Sequence, residues 1–172
     1  MILDAFAQFT AAAGDSMPNG ATTTSTNILD IGLSGLPLSS AGGGARDLGV
    51  GDKPALKILV EVTTAGAGTS IAVNLQGAPD NGSGAPGSFT TYISGPVVTA
   101  ANAIAGSRLL EVDVPRPPAG VVLPRFLQLQ YVAVGNMSAG VMKGWIVIDR
   151  FDQPGSQSGL LSGYPPGVTI AN

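Results

Sequence analysis

The sequence predicts an all-β fold, a jelly-roll-like antiparallel β-sandwich with flexible N- and C-terminal extensions, and three observations carry that prediction. Glycine (25) and proline (13) together exceed a fifth of the 172 residues, and they fall between short apolar runs. Several of those runs alternate apolar and polar residues with the two-residue period of a strand. No stretch carries the 3.6-residue periodicity of a long amphipathic helix.

The elements follow in order. "TNILDIG" (26–32) is the first strand candidate. "ALKILVEVTT" (55–64) is the strongest: Leu56, Ile58, Val60 and Val62 alternate with Lys57, Leu59, Glu61 and Thr63, giving one buried and one partly wet face. "AGAG" reads as a four-residue glycine turn into "TSIAVNLQ" (69–76), where Ile71, Val73 and Leu75 oppose Ser70, Asn74 and Gln76. These two runs are expected to form a hairpin. "APDNGSGAPG" (78–87) is a loop, "SFTTYISG" (88–95) a weaker strand, and "PVVTAANAIAGS" (96–107) a loop or one helical turn. "RLLEVDV" (108–114) alternates again, with Leu110, Val112 and Val114 on one side. After the proline-stiffened "PRPPAGVVLP" (115–124), "RFLQLQYVAV" (125–134) sets Leu127, Leu129 and Tyr131 against Gln128 and Gln130, and "GVMKGWIVID" (140–149) closes the set. Strands at such turn-separated spacing favour a two-sheet sandwich over a parallel α/β fold.

The chain length suits one domain. It is placed at 26–149, between an N-terminal segment (1–25) and a Gly/Ser/Pro-rich arm (150–172). The stretch "AAAGDSMPNGATTTST" (11–26) reads as loose. The opening "MILDAFAQFTAAAGD" has no basic leader and is read as mature sequence.

Composition excludes much chemistry. Cysteine and histidine are absent, which removes thiol chemistry, Ser-His-Asp triads and His- or Cys-based metal sites. Charged residues are 11% of the chain, against roughly 25% in average soluble domains. A chain this neutral is expected to cover surface with other protein, as a homodimer or homotrimer. Eight basic residues and a net charge of −3 argue against a nucleic-acid partner. No run of 18 apolar residues predicts a membrane span.

Local candidates resolve mostly into structure. "RDLGVGD" (46–52) leads into a strand rather than a helix, so it reads as a turn and not a phosphate loop. "PDNGSG" (79–84) has oxygens but not the spaced acids of a calcium loop, and reads as a turn. Glu111 and Asp113 share a strand face, a pattern commoner on solvated strands than in glycosidases. Trp145, Tyr92, Tyr131 and Tyr164 are the stacking candidates for a sugar. Ile2, Leu3, Phe6 and Phe9 have roughly helical spacing and suit docking onto a partner or onto the chain's own domain. Phe151, Leu160, Leu161, Tyr164, Val168 and Ile170 make the arm more apolar than a solvated linker, as expected of an arm laid across a neighbour. No catalytic, metal or cofactor-binding residues are predicted, and the chain is not expected to be an enzyme.

The opening "MILD", the early "TNILDIG", and "RDLGVGDKPALKILVEV" before "TSIAVNLQ" resemble the capsid cement proteins of short-tailed phages. "SRLLEVDVPR", "RFLQLQYVAV" and "SAGVMKGWIVID" follow that pattern in order and spacing, over roughly residues 1 to 150. The resemblance implies a jelly-roll domain made in the host cytoplasm. It also implies a place on the outer capsid surface, where such proteins oligomerise and clamp neighbouring major capsid subunits. The alternative reading is a carbohydrate-binding β-sandwich of a phage tail or extracellular protein.

Overall fold

The structure, a computed structural model, describes residues 7–31, 57–114 and 124–147. Eight strands lie among them: β1 (Asp15–Ser16), β2 (Thr22–Thr24), β3 (Leu29–Asp30), β4 (Lys57–Ala78), β5 (Thr90–Ser94), β6 (Val98–Thr99), β7 (Arg108–Asp113) and β8 (Phe126–Val147). All pairings are antiparallel, as the all-β expectation requires.

Two strands of 22 residues organise the sheet. β4 and β8 pair along their whole length, from Lys57↔Val147 to Ala78↔Phe126. The six short strands line their outer flanks. β1, β2 and β3 run in sequence along β8, with Asp15 opposite Met142, Thr22 opposite Val132 and Asp30 opposite Phe126. β5, β6 and β7 run along β4, with Thr90 opposite Gly77, Val98 opposite Ile71 and Asp113 opposite Lys57. The molecule is therefore a sheet of four lanes, each crossing its full length.

This corrects the expected hairpin. "AGAG" does not reverse the chain; residues 57–64 and 69–76 belong to the single strand β4, and 126–134 and 140–147 to the single strand β8. The physical reason is that a strand glycine permits a bulge or sharp bend as readily as a turn. The ladder between β4 and β8 slips register at Val62/Thr64, Thr64/Ala67, Ala67/Gly68 and Gly68/Ser70, all within one short stretch. Backbone pairing continues through it, so the sheet bends without losing its partner.

The bend doubles the sheet onto itself. Leu129 and Gly144 lie on one strand, about 50 Å apart if it were straight. Yet a Cβ added at Gly144 would sit 2.6 Å from Leu129 Cδ1 and 3.6 Å from Phe9 Cβ. Across the flanking lane, a Cβ at Gly95 would come 3.2 Å from Leu110 Cδ1. The inner faces of both halves make one core, with Ile58, Val60 and Val62 from one end of β4 and Ile71, Val73 and Leu75 from the other. Leu127, Leu129, Tyr131, Met142 and Ile146 of β8 complete it. Each large aliphatic side chain buried there stabilises the fold by roughly 1.5–3 kcal/mol. The inward sets are those the alternation predicts. Leu109, beside the register shift at Val60/Glu61, is buried as well as Leu110, which strict alternation does not predict.

At the bend all four lanes meet. A Cβ at Gly66 would touch Met17, Met137 and Ala103, one side chain from each other lane. Gly140, at φ +126°, is also tight: an added Cβ would lie 2.9 Å from Gly66 Cα and press on Met17 Sδ.

The N-terminal boundary also needs correcting. Residues 8–25, read as outside the domain, form most of the first lane, with Gln8 bridging Trp145 and Asn19 bridging Asn136. Their pairs are backbone pairs to β8, which need no apolar alternation, and so the stretch looks loose in sequence. The arm (150–172) lies outside the described residues, as does "RDLGVGD".

Gly140→Val is expected to cost about 2–4 kcal/mol through the forced positive φ and the clash at the bend. That would lower the thermal midpoint by roughly 5–15 °C. A midpoint equal to wild type by circular dichroism would contradict the close approach.

Candidate functional site

The two outer lanes end differently, and that difference defines the surfaces open to a partner. The first lane is sealed onto itself. Asp15 is nearly buried and accepts four hydrogen bonds: from Ala11 N (3.1 Å), Thr26 N (3.0 Å), Thr26 Oγ1 (2.6 Å) and the Tyr131 hydroxyl (3.0 Å). The first three come from its own lane and the fourth from β8, so one carboxylate ties both halves of the doubled sheet. Burial, then the Asp15 charge beside it, holds the Tyr131 phenol protonated well above its usual range. Asn27 continues the seam: its backbone N donates to Phe9 O (2.8 Å), and its side-chain amide donates to Thr10 O (2.9 Å) and Gln8 O (3.1 Å).

A second tie sits where β3, β8 and the 79–87 loop converge. Arg125 grips Asp30 in a two-pronged pair, Nε to Oδ1 and Nη2 to Oδ2, each at 2.9 Å, and its Nη1 bonds Asp80. Its guanidinium also lies over the Phe126 ring, 4.9 Å from the centroid. Asp80 shapes the loop with its other oxygen, which accepts from Gly82 N (2.7 Å) and Gly84 N (3.0 Å). The turn reading of "PDNGSG" thus describes what is found. Partial burial opposes the Asp80 charge, but the two amides and Arg125 outweigh it and hold the carboxyl below its usual range. The hydrogen bonds it donates to Asp30, and then to Asp80, hold Arg125 charged beyond the ordinary arginine range.

Two further ion pairs lie where β7 runs along β4. Glu111 and Asp113 do not act as a pair: Glu111 bonds Arg108 (2.6 Å) and Asp113 bonds Lys57 (3.0 Å). The aromatic candidates do not share a platform. Tyr131 is in the core, Trp145 is half-buried opposite Leu59, and Tyr92 packs near Gly77 and Pro124. Tyr164 lies outside the described residues. Of the residues expected to meet a partner, Phe9 is spent on its own domain: it is fully buried in the core and its N donates to Gly144 O (2.9 Å). Ile2, Leu3, Phe6, Phe151, Leu160, Leu161, Tyr164 and Ile170 lie outside the described residues. Among the described residues no cluster of acidic side chains is placed to hold a metal.

On the other flank, no strand among the described residues pairs with the outer side of β5. β5 ends the strand order, and Thr90, Thr91 and Ser94 on it are exposed. Val97, three residues after β5, and Ile104, in the turn between β6 and β7, are 60% and 59% exposed, so large apolar side chains face solvent at separate points along this lane. Sequence reasoning missed Asp15, Arg125 and this edge. The available signals were a lone acid in a hydroxyl-rich stretch, a base just before a strand, and a charge-free run from Asn81 to Ser107.

Asp15→Asn is expected to destabilise by about 1–3 kcal/mol, because an amide turns one acceptor into a donor facing donors. Tyr131→Phe should cost about 1 kcal/mol, and the double variant less than the sum, since both act on one network. Additive losses in thermal melts would show that the two do not share it. A pH dependence follows from Asp80. Its folded pKa is depressed, so its contribution is full above the ordinary carboxylate value of about 4 and is lost as pH falls through the folded value. Asp80→Asn should flatten the acid limb of the midpoint–pH curve below the ordinary carboxylate range. An unchanged limb would exclude Asp80 from it.

The chain matches the Bbp16 family over residues 13–146. No curated protein matches it. The matched span begins just before β1 and stops one residue short of the end of β8, so it takes in the bend, all eight strands but for that residue, and Asp15 with Thr26 and Tyr131. The doubled four-lane sheet is thus the matched unit, and the chain belongs to the phage-related Bbp16 family.

Proposed function

We propose that the chain is a structural virion protein: a capsid cement or decoration protein that oligomerises on the outer capsid surface and clamps neighbouring major capsid subunits. The observation that carries this reading is the family match across the whole sheet, within a phage-related family. The physics of the surface supports it. Asp15, Asp30, Asp80, Glu111 and Asp113 are all engaged by donors of the chain itself, so these five acids serve the fold. An 11% charge content leaves a surface suited to protein rather than to water or nucleic acid. The partners are the major capsid protein and further copies of this chain, and the protein needs no cofactor and turns over no substrate.

Capsid binding is tested by adding the purified protein to capsids lacking it and sedimenting them. Saturable, stoichiometric binding that raises the temperature of capsid disruption is expected. No co-sedimentation, combined with specific signals on a glycan array, would move the function to sugar binding. Deleting 155–172 tests the arm. A folded domain with weaker capsid occupancy is expected. Full occupancy and an unchanged oligomer mass would make the arm a passenger.

A further inference from the structure

We propose that the 79–87 loop is a self-modifying site: the Gly82 amide attacks the side chain of Asn81, with Asp80 as the base, and converts Asn81 to aspartate and isoaspartate.

The loop brings together the groups that this ring closure needs. The nucleophile is Gly82 N. It donates to Asp80 Oδ1 at 2.7 Å, so a carboxylate already holds the proton that has to leave. Asp80 is ionised at neutral pH, which is the form a base requires. The electrophile is the Asn81 side-chain amide. Its Oδ1 accepts from Ser83 N at 2.8 Å, which folds the side chain forward over the peptide it reacts with. The same N–H polarises the carbonyl and stabilises the oxyanion that forms on it.

Room is the second observation. Asn81 and Gly82 are exposed, and a Cβ added at Gly82 would meet nothing within 4 Å. Ring formation there displaces no neighbour. The chain's other Asn-Gly step, at Asn19 and Gly20, provides the contrast. Asn19 bridges Asn136 on β8, and a Cβ at Gly20 would lie 2.5 Å from Asn136 Oδ1. Its backbone is held by the sheet and its side is crowded.

The steps balance. Gly82 N gives its proton to Asp80 and bonds to Asn81 Cγ. The Cγ–Nδ2 bond breaks, and Nδ2 takes the proton and leaves as ammonia. Solvent water then opens the five-membered succinimide. Attack at Cγ gives aspartate; attack at the backbone carbonyl carbon gives isoaspartate, in which the chain runs through the side chain. Either product adds one acid, so the formal net charge goes from −3 to −4. The new carboxylate stands one residue from Asp80, which holds Arg125. Isoaspartate also lengthens the backbone of a loop closed by Asn81 N to Ala85 O (2.9 Å) and Gly87 N to Pro79 O (2.8 Å). The brace on Arg125 therefore changes as the protein ages.

The test incubates full-length protein in neutral buffer at physiological temperature and maps deamidation by peptide mass spectrometry, with isoaspartate and aspartate peptides separated by chromatography. The same chain unfolded in urea is the reference. Asn81 is expected to react faster in the folded protein than in urea, and Asn19 more slowly. Asp80→Ser keeps an oxygen for the loop amides but removes the base, and should slow the reaction of Asn81 about tenfold or more. If Asp80 only braced the loop, its loss would free the loop and speed the reaction. Asn81 no faster in the folded protein than in urea, or Asp80→Ser as fast as wild type or faster, would each overturn the proposal. If Asp80→Ser fails to fold, the pH profile of wild type decides. An ionised carboxylate acting as base gives a rate that is level across the neutral range, whereas a rate rising in proportion to hydroxide would overturn the assignment.

Discussion

Everything in this molecule depends on one ladder of backbone hydrogen bonds that bends without breaking. β4 and β8 stay paired from Lys57↔Val147 to Ala78↔Phe126, while the register slips four times between Val62 and Ser70. Because the ladder survives the bend, the two ends of each strand face one another across a shared core. The flanking strands inherit the bend by pairing to β4 and β8. The close approach of Gly140 to Gly66 and Met17 shows how little space the crossing leaves. Side chains there would hold the two layers apart and expose the apolar faces that the doubling buries.

The second consequence concerns charge. A protein with 11 acidic and 8 basic residues has few to place, and several of those described are used as ties between segments distant in sequence. Asp15 joins Ala11, Thr26 and Tyr131; Arg125 joins Asp30 and Asp80. A buried carboxylate is tolerated where donors satisfy it, and four donors converge on Asp15. Charge is concentrated in such ties, and the run from Asn81 to Ser107, which holds β5 and β6, has none. A surface of that kind suits packing among large protein assemblies, where desolvating charge would be costly.

How much of this was legible in the sequence follows from what each feature rests on. The inward faces of 58–62, 71–75 and 127–131 were readable because burial imposes the two-residue period directly. The strand count was not, because "AGAG" and "VGNMSAG" carry the same glycines whether a chain turns back or only bends. What decides between them is the partner strand, which lies more than 50 residues away in sequence. The first lane was hidden for a related reason: Thr22–Thr24 hold their place by backbone pairing, so their side chains carry no apolar signal. Phe9 was visible as an anchor, but not that its socket is its own core. Asp15 and Arg125 were invisible because their partners come from separate elements, and no local spacing brings them together.

The central claim is that β4 and β8 are two bent strands paired end to end rather than two hairpins, and nuclear Overhauser contacts test it most directly. The doubled sheet predicts cross-strand backbone contacts between Val60 and Gly144 and between Val73 and Tyr131, together with a contact from the Leu129 methyls to the Gly144 α-protons. Cross-strand contacts between Val62 and Ile71 in place of these would mean that "AGAG" closes a hairpin, and would contradict the account.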